Sequence, residues 1–160
     1  MLVFPKQQLT PDEQIAFAQH WGELVPFPYG SLPGYPNIIE LRNHGKKSDV
    51  NQHWHSDMTY DPRPPKLTML YALEAPAIGG ETAFANQIHA YEELSTGMKS
   101  LVDSLVALHS AKDLARLYGQ DPDQASEAEH PVVRTHDETG QRALYVCRAF
   151  TRQFRDWLRQ

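Results

Sequence analysis

Ten consecutive residues constrain this chain more than any other stretch: Asn51-Gln52-His53-Trp54-His55-Ser56-Asp57-Met58-Thr59-Tyr60. Read as a strand, the stretch alternates its side chains, so Asn51, His53, His55, Asp57 and Thr59 share one face. An unbroken polar stripe is costly to bury unless it lines a wet cavity or holds an ion. A sheet built on this strand must therefore wrap around something polar. His55 and Asp57 offer one imidazole nitrogen and one carboxylate oxygen to a single cation. That donor pair suits a divalent first-row metal, and one more histidine would complete a facial set of two histidines and a carboxylate. A bare His-x-Asp is weak on its own, since a solvated strand end or a turn is the commoner outcome.

Composition narrows the partners. The chain has 160 residues, a single-domain length, and its 41% hydrophobic content suffices for a compact core. A net charge of −5 without any basic cluster argues against nucleic acid. No apolar run approaches the roughly 20 residues of a membrane span. The start, Met1-Leu2-Val3-Phe4-Pro5, lacks the basic and apolar regions of a signal peptide. With Cys147 as the one cysteine there is no internal disulfide, so the expected location is cytoplasmic and the thiol reads as a small core residue.

Local patterns predict the elements. Thr10-Pro11-Asp12-Glu13 opens a helix with a capping box, and Ile15, Phe17, Ala18 and Trp21 give it an apolar packing face. The proline-rich stretch 26–36 reads as an irregular loop. Strands are expected at 2–4, 37–41, 51–60, 66–73 and 81–85, the fourth being aliphatic and core-like. Residues 88–108 read as helical, with Ser95 capping a second piece. Residues 110–129 read as a polar, mobile excursion. Val132-Val133 and Arg142–Cys147 then form a hairpin across Asp137-Glu138-Thr139-Gly140.

Three blocks carry a resemblance. The run Asn51-x-x-Trp54-His55-Ser56-Asp57-Met58-Thr59-Tyr60, then Pro64-Pro65, then Gly79-Gly80-Glu81-Thr82-x-Phe84-Ala85-Asn86 closely resembles the taurine/2,4-D dioxygenase (TauD/TfdA) family. His130-Pro131-Val132-Val133-Arg134-Thr135-His136, Gly140, Ala143-Leu144-Tyr145-Val146 and Phe150-Thr151 resemble the family's next block, in the family's order. The resemblance implies an α+β fold, a partial double-stranded β-helix (jelly roll, cupin-like) with flanking helices. It implies an oxidoreductase using Fe(2+), 2-oxoglutarate and O2 to hydroxylate a small, often anionic, substrate with release of succinate and CO2. His55 and Asp57 would ligate iron, and the Thr82 hydroxyl would donate to the distal carboxylate of 2-oxoglutarate. Asn51 would touch the substrate, its other reading being a turn residue at the strand entrance. Tyr29 falls where taurine enzymes place a substrate-contacting tyrosine. Pro26 stands where they place a substrate-binding histidine, which argues against taurine itself.

The resemblance also predicts what the chain lacks. The family's third ligand, a histidine, and the arginine that clamps 2-oxoglutarate lie downstream of the block at 130–136, beyond Gln160. His130 and His136 match family positions that are not ligands. Arg148, Arg152, Arg155 and Arg159 read as a solvated basic tail. Residues 1–160 are thus expected to form one dioxygenase domain incomplete at both ends. The partner is a small molecule, with neither nucleic acid nor membrane, and a homo-oligomer is compatible with this. The alternative is a catalytically inactive, truncated piece of such an enzyme. A zinc hydrolase on His53, His55 and Asp57 is disfavoured, because three alternate residues of one strand make an awkward tetrahedral site.

Overall fold

The computed structural model describes residues 1–42 and 53–155. The chain divides into two compact units, one of Met1–Lys46 with Pro65–Leu70, the other of Lys47–Pro64 with Tyr71–Gln160.

In the first unit, helix α1 spans Pro11–Ala18 and begins as its sequence dictates. The Thr10 hydroxyl accepts from the Glu13 amide at 3.3 Å, and the Glu13 carboxylate accepts from the Thr10 amide at 2.8 Å. The expected packing face is only partly realised. No residue of α1 is fully buried, and Trp21 is exposed beyond it. Residues 2–4 and 37–41 form loops instead of the expected strands, and the one bridge among this unit's described residues, Leu32 with Tyr35, closes a turn between them in sequence.

The second unit is organised by a three-stranded antiparallel sheet. Helices α2 (Gln87–Glu92) and α3 (Thr96–Val102) are followed by β1 (Val106–Ser110), α4 (Lys112–Leu117) and β2 (Glu127–Pro131). A hairpin of β3 (Val133–Thr135) and β4 (Arg142–Leu144) precedes β5 (Thr151–Phe154). Strand β1 is central, flanked by β2 and β5. The helix start read at Ser95 holds, its hydroxyl accepting from the Met98 amide, and the structure adds a second cap, Asn86, which accepts from the Ile88 and His89 amides. The hairpin turn holds as well, with Gly140 in the left-handed region at φ 70°.

Three expectations fail. The helix predicted through Leu108 stops at Val102, and 106–110 is the central strand. The supposed excursion at 110–129 contains α4 and most of β2. Its outward glutamates, Glu127 and Glu129, alternate with the buried Ala128 and His130, a strand pattern that hydropathy does not reveal. Residues 66–73 and 81–85 form no strand, and Leu67, Leu70 and Leu73 are exposed. Aliphatic content records what a segment can bury, whereas a strand also needs a hydrogen-bonded neighbour.

The register of the sheet sets its inner face. Ala107 lies opposite His130 and His109 opposite Ala128, so each buried ring faces a methyl group that leaves it room. The two histidines become diagonal neighbours, with ring centroids 5.5 Å apart. Arg148, Arg152 and Arg155 of the basic tail are exposed, as expected, and Arg152 pairs with Asp113 and Arg155 with Glu129, while Arg159 lies outside the described residues. Cys147 is half-buried and unpaired.

Candidate metal centre

His55 and Asp57 do converge, on an irregular stretch that runs into a turn instead of on a strand. Residues 57–60 form that turn, with Met58 in the left-handed region at φ 50° and the Asp61 amide donating to the Met58 carbonyl at 2.9 Å. An L-residue there costs about 1 kcal/mol, so neighbouring contacts must hold the backbone in place. Ahead of Met58, His55 Nε2 lies 3.4 Å from Asp57 Oδ1.

The expected five-residue stripe is broken accordingly. Asn51 lies outside the described residues. His53 contributes its backbone, with its carbonyl accepting from His55 Nδ1 at 2.8 Å. Thr59 turns away from the pair and is buried against the sheet, 2.9 Å from His109 Nδ1. A strand's strict alternation could not do this; the left-handed Met58 does.

The donor chemistry of the pair suits a cation. With Nδ1–H committed to the His53 carbonyl, Nε2 of a neutral His55 presents only a lone pair, and it faces a carboxylate. Two acceptors at that separation call for a cation between them, either a proton or a metal ion. The Asp57 carboxylate accordingly raises the His55 pKa above its ordinary value, against the opposing effect of partial burial and with help from the His53 carbonyl. The arrangement fits two of the positions of a facial metal site. Among the described residues no group of three or more His, Cys, Asp or Glu side chains is placed to hold a metal ion.

Two further predicted residues lie on other segments of the chain. Thr82 is exposed on the loop after Gly79 and Gly80, both in the left-handed region at φ 86° and 80°. Tyr29 belongs to the first unit, where it is buried with its ring edge-on to Phe27 at 5.5 Å.

Sequence reasoning missed the wall behind the pair. Phe150, nearly fully buried, meets the His55 ring edge-on at 6.0 Å and the Tyr60 ring at 5.1 Å. His130 Nε2 donates to the Asp61 carbonyl at 3.0 Å. The available signal was the pairing of His109 and His130 at inward positions of adjacent strands, legible only once the register is known.

His109 carries a pH consequence. It is completely buried, and its Nε2 lacks a well-formed hydrogen bond. Burial pushes its pKa down to about 4, repulsion from His130 adds to this, and the Tyr145 backbone partly offsets both. The unfolded chain therefore binds a proton that the folded chain refuses. The stability contributed is complete above pH 6.5 and is lost as the pH falls towards about 4. The expected loss attributable to this group is about 3 kcal/mol across that window. Urea denaturation at pH 7 and pH 4.5 checks it, since His109→Gln should flatten the difference. An unchanged difference would remove His109 from the account.

Comparison with known proteins defines the class. The chain matches the family described as taurine catabolism dioxygenase TauD, TfdA over residues 1–159, and it belongs to that family. Its curated relatives include an alpha-ketoglutarate-dependent sulfate ester dioxygenase of Pseudomonas putida, 35% identical over 86% of this chain and 50% of that protein. An (S)-phenoxypropionate/alpha-ketoglutarate-dioxygenase of Sphingobium herbicidovorans is 32% identical over 92% of this chain and 58% of its own length. Among solved structures, a taurine dioxygenase from Burkholderia xenovorans superimposes with a TM-score of 0.69 at 30% identity, covering 94% of this chain and 51% of that one. The chain spans about half the length of the curated relatives it matches.

Proposed function

We propose that this chain carries the His-x-Asp part of the iron centre of a 2-oxoglutarate-dependent dioxygenase, within a partial jelly roll. The observation that carries the reading is the 3.4 Å approach of His55 Nε2 to Asp57 Oδ1, with Nδ1 already committed to a carbonyl. Family membership supplies the chemical context.

When bound, Fe(II) supplies the redox chemistry that couples O2 and decarboxylation of 2-oxoglutarate to hydroxylation of a C–H bond, leaving succinate and CO2. The chain's own residues hold and orient. His55 offers Nε2 and Asp57 a carboxylate oxygen. The His53 carbonyl fixes which imidazole nitrogen is offered, as partners of ligating histidines commonly do. Phe150 and Tyr60 present rings behind the pair and keep water from its inner side. Thr82 donates its hydroxyl to the distal carboxylate of 2-oxoglutarate, while Asn51 and Tyr29 contact the substrate. That substrate is a small organic acid of the sulfonate, sulfate ester or aryloxyacid type. The setting is cytoplasmic.

A second reading, a chain that keeps the fold but turns nothing over, is favoured by the absence of a third candidate ligand among the described residues. Succinate formation separates the two. The purified chain with Fe(II), 2-oxoglutarate, O2 and a panel of such acids yields succinate on the first reading and none on the second. Thr82→Val is expected to raise the KM for 2-oxoglutarate about 10- to 100-fold, the worth of one hydrogen bond to a charged group, with a much smaller effect on kcat. An unchanged KM would take Thr82 out of the cosubstrate site.

A further inference from the structure

The sheet places two histidines where an apolar core would ordinarily stand. His109 on β1 is completely buried and His130 on β2 nearly so, and desolvating an imidazole is costly where a leucine would be free of that penalty. Each aims one ring nitrogen at the same short segment. His109 Nδ1 shares a hydrogen bond of 2.9 Å with Thr59 Oγ1, and His130 Nε2 donates to the Asp61 carbonyl at 3.0 Å. Thr59 and Asp61 follow Asp57 by two and four residues in the same turn. Between them Tyr60, with 1% exposure, packs on Phe150, which also meets the His55 ring. The turn holds a left-handed Met58, a conformation it would leave if untethered.

We infer that His109 and His130 are positioning residues that clamp the turn at Thr59 and Asp61 and so set the Asp57 carboxylate against His55. The inference rests, for its functional meaning, on the reading of His55 and Asp57 as a metal pair. Neither histidine is a ligand; each acts through the turn. Their alanine partners across the ladder, Ala128 and Ala107, supply the space that lets both rings reach it.

The test uses the full chain and Co(II) alone as probe, in Thr59→Val, His130→Leu and His130→Gln variants. Thr59→Val removes the hydroxyl at nearly constant volume, and glutamine keeps an N–H for the Asp61 carbonyl. Two quantities are read: Co(II) affinity, and amide exchange at Asp61 compared with the amides of β1. Thr59→Val and His130→Leu are expected to speed exchange at Asp61 while β1 stays protected, and to weaken Co(II) about 10- to 100-fold. His130→Gln is expected to restore both most of the way. Unchanged exchange and affinity in Thr59→Val and His130→Leu would overturn the inference. Loosening spread equally over β1 would overturn it too, since that marks a merely structural role. If the unaltered chain takes up no Co(II), the metal reading falls, and the exchange comparison alone decides whether the clamp exists.

Discussion

Replacing Asp57 with alanine is expected to weaken divalent metal binding by more than about 100-fold while barely moving the melting temperature. The asymmetry follows from where the residue sits. Its side chain is 47% exposed, so little packing is lost with it. Its carboxylate faces His55 Nε2, and without it His55 has no second candidate ligand beside it among the described residues. Outer-shell partners of metal sites alone are worth roughly 10- to 100-fold in affinity, so a ligand must exceed that. Co(II) titration paired with thermal melting reads both sides. A variant that binds as tightly as the unaltered chain would show that the ion, if any, sits elsewhere.

Phe150→Ala should do the reverse, damaging the fold first and the site through it. The ring has 4% exposure, stands edge-on to both Tyr60 and His55, and belongs to a residue whose carbonyl accepts from the Ser110 amide. Truncating such a side chain removes its transfer free energy and leaves a cavity, together about 3–5 kcal/mol. The cavity would open directly behind the His55 ring, so metal affinity should fall as well. Urea denaturation gives the stability term. A loss under about 1 kcal/mol would mean that the ring is not part of the core as described.

The sequence made the local chemistry legible and the register illegible. The capping box at Thr10 and Glu13, the cap at Ser95 and the turn ending at Gly140 were all readable, because each is decided by a few neighbouring side chains. The closeness of His55 and Asp57, two residues apart, was also readable. The turn that follows them was not, because it hinges on a left-handed Met58. That residue gives no sign in the sequence, since methionine rarely adopts such a backbone and does so here under tethering by the sheet.

Strands β1 and β2 escaped for a different reason. Their inward residues are Ala107, His109, Ala128 and His130, which no hydropathy pattern marks as core. The apolar spacing from Met98 to Val102 continues into Val106 and Leu108, so a helical period runs unbroken across the true helix end. Conversely, Leu67, Leu70 and Leu73 read as core and are exposed. Pattern reports what a residue prefers; pairing and register decide what it gets.

The measurement closest to the central claim is an anaerobic titration of the purified chain with Fe(II) and 2-oxoglutarate, followed in the visible region. If His55 and Asp57 grip iron beside the oxo-acid, a weak charge-transfer band grows to a fixed stoichiometry in the unaltered chain and is absent from the Asp57→Ala variant. A band of equal strength in both, or none in either, would contradict the assignment.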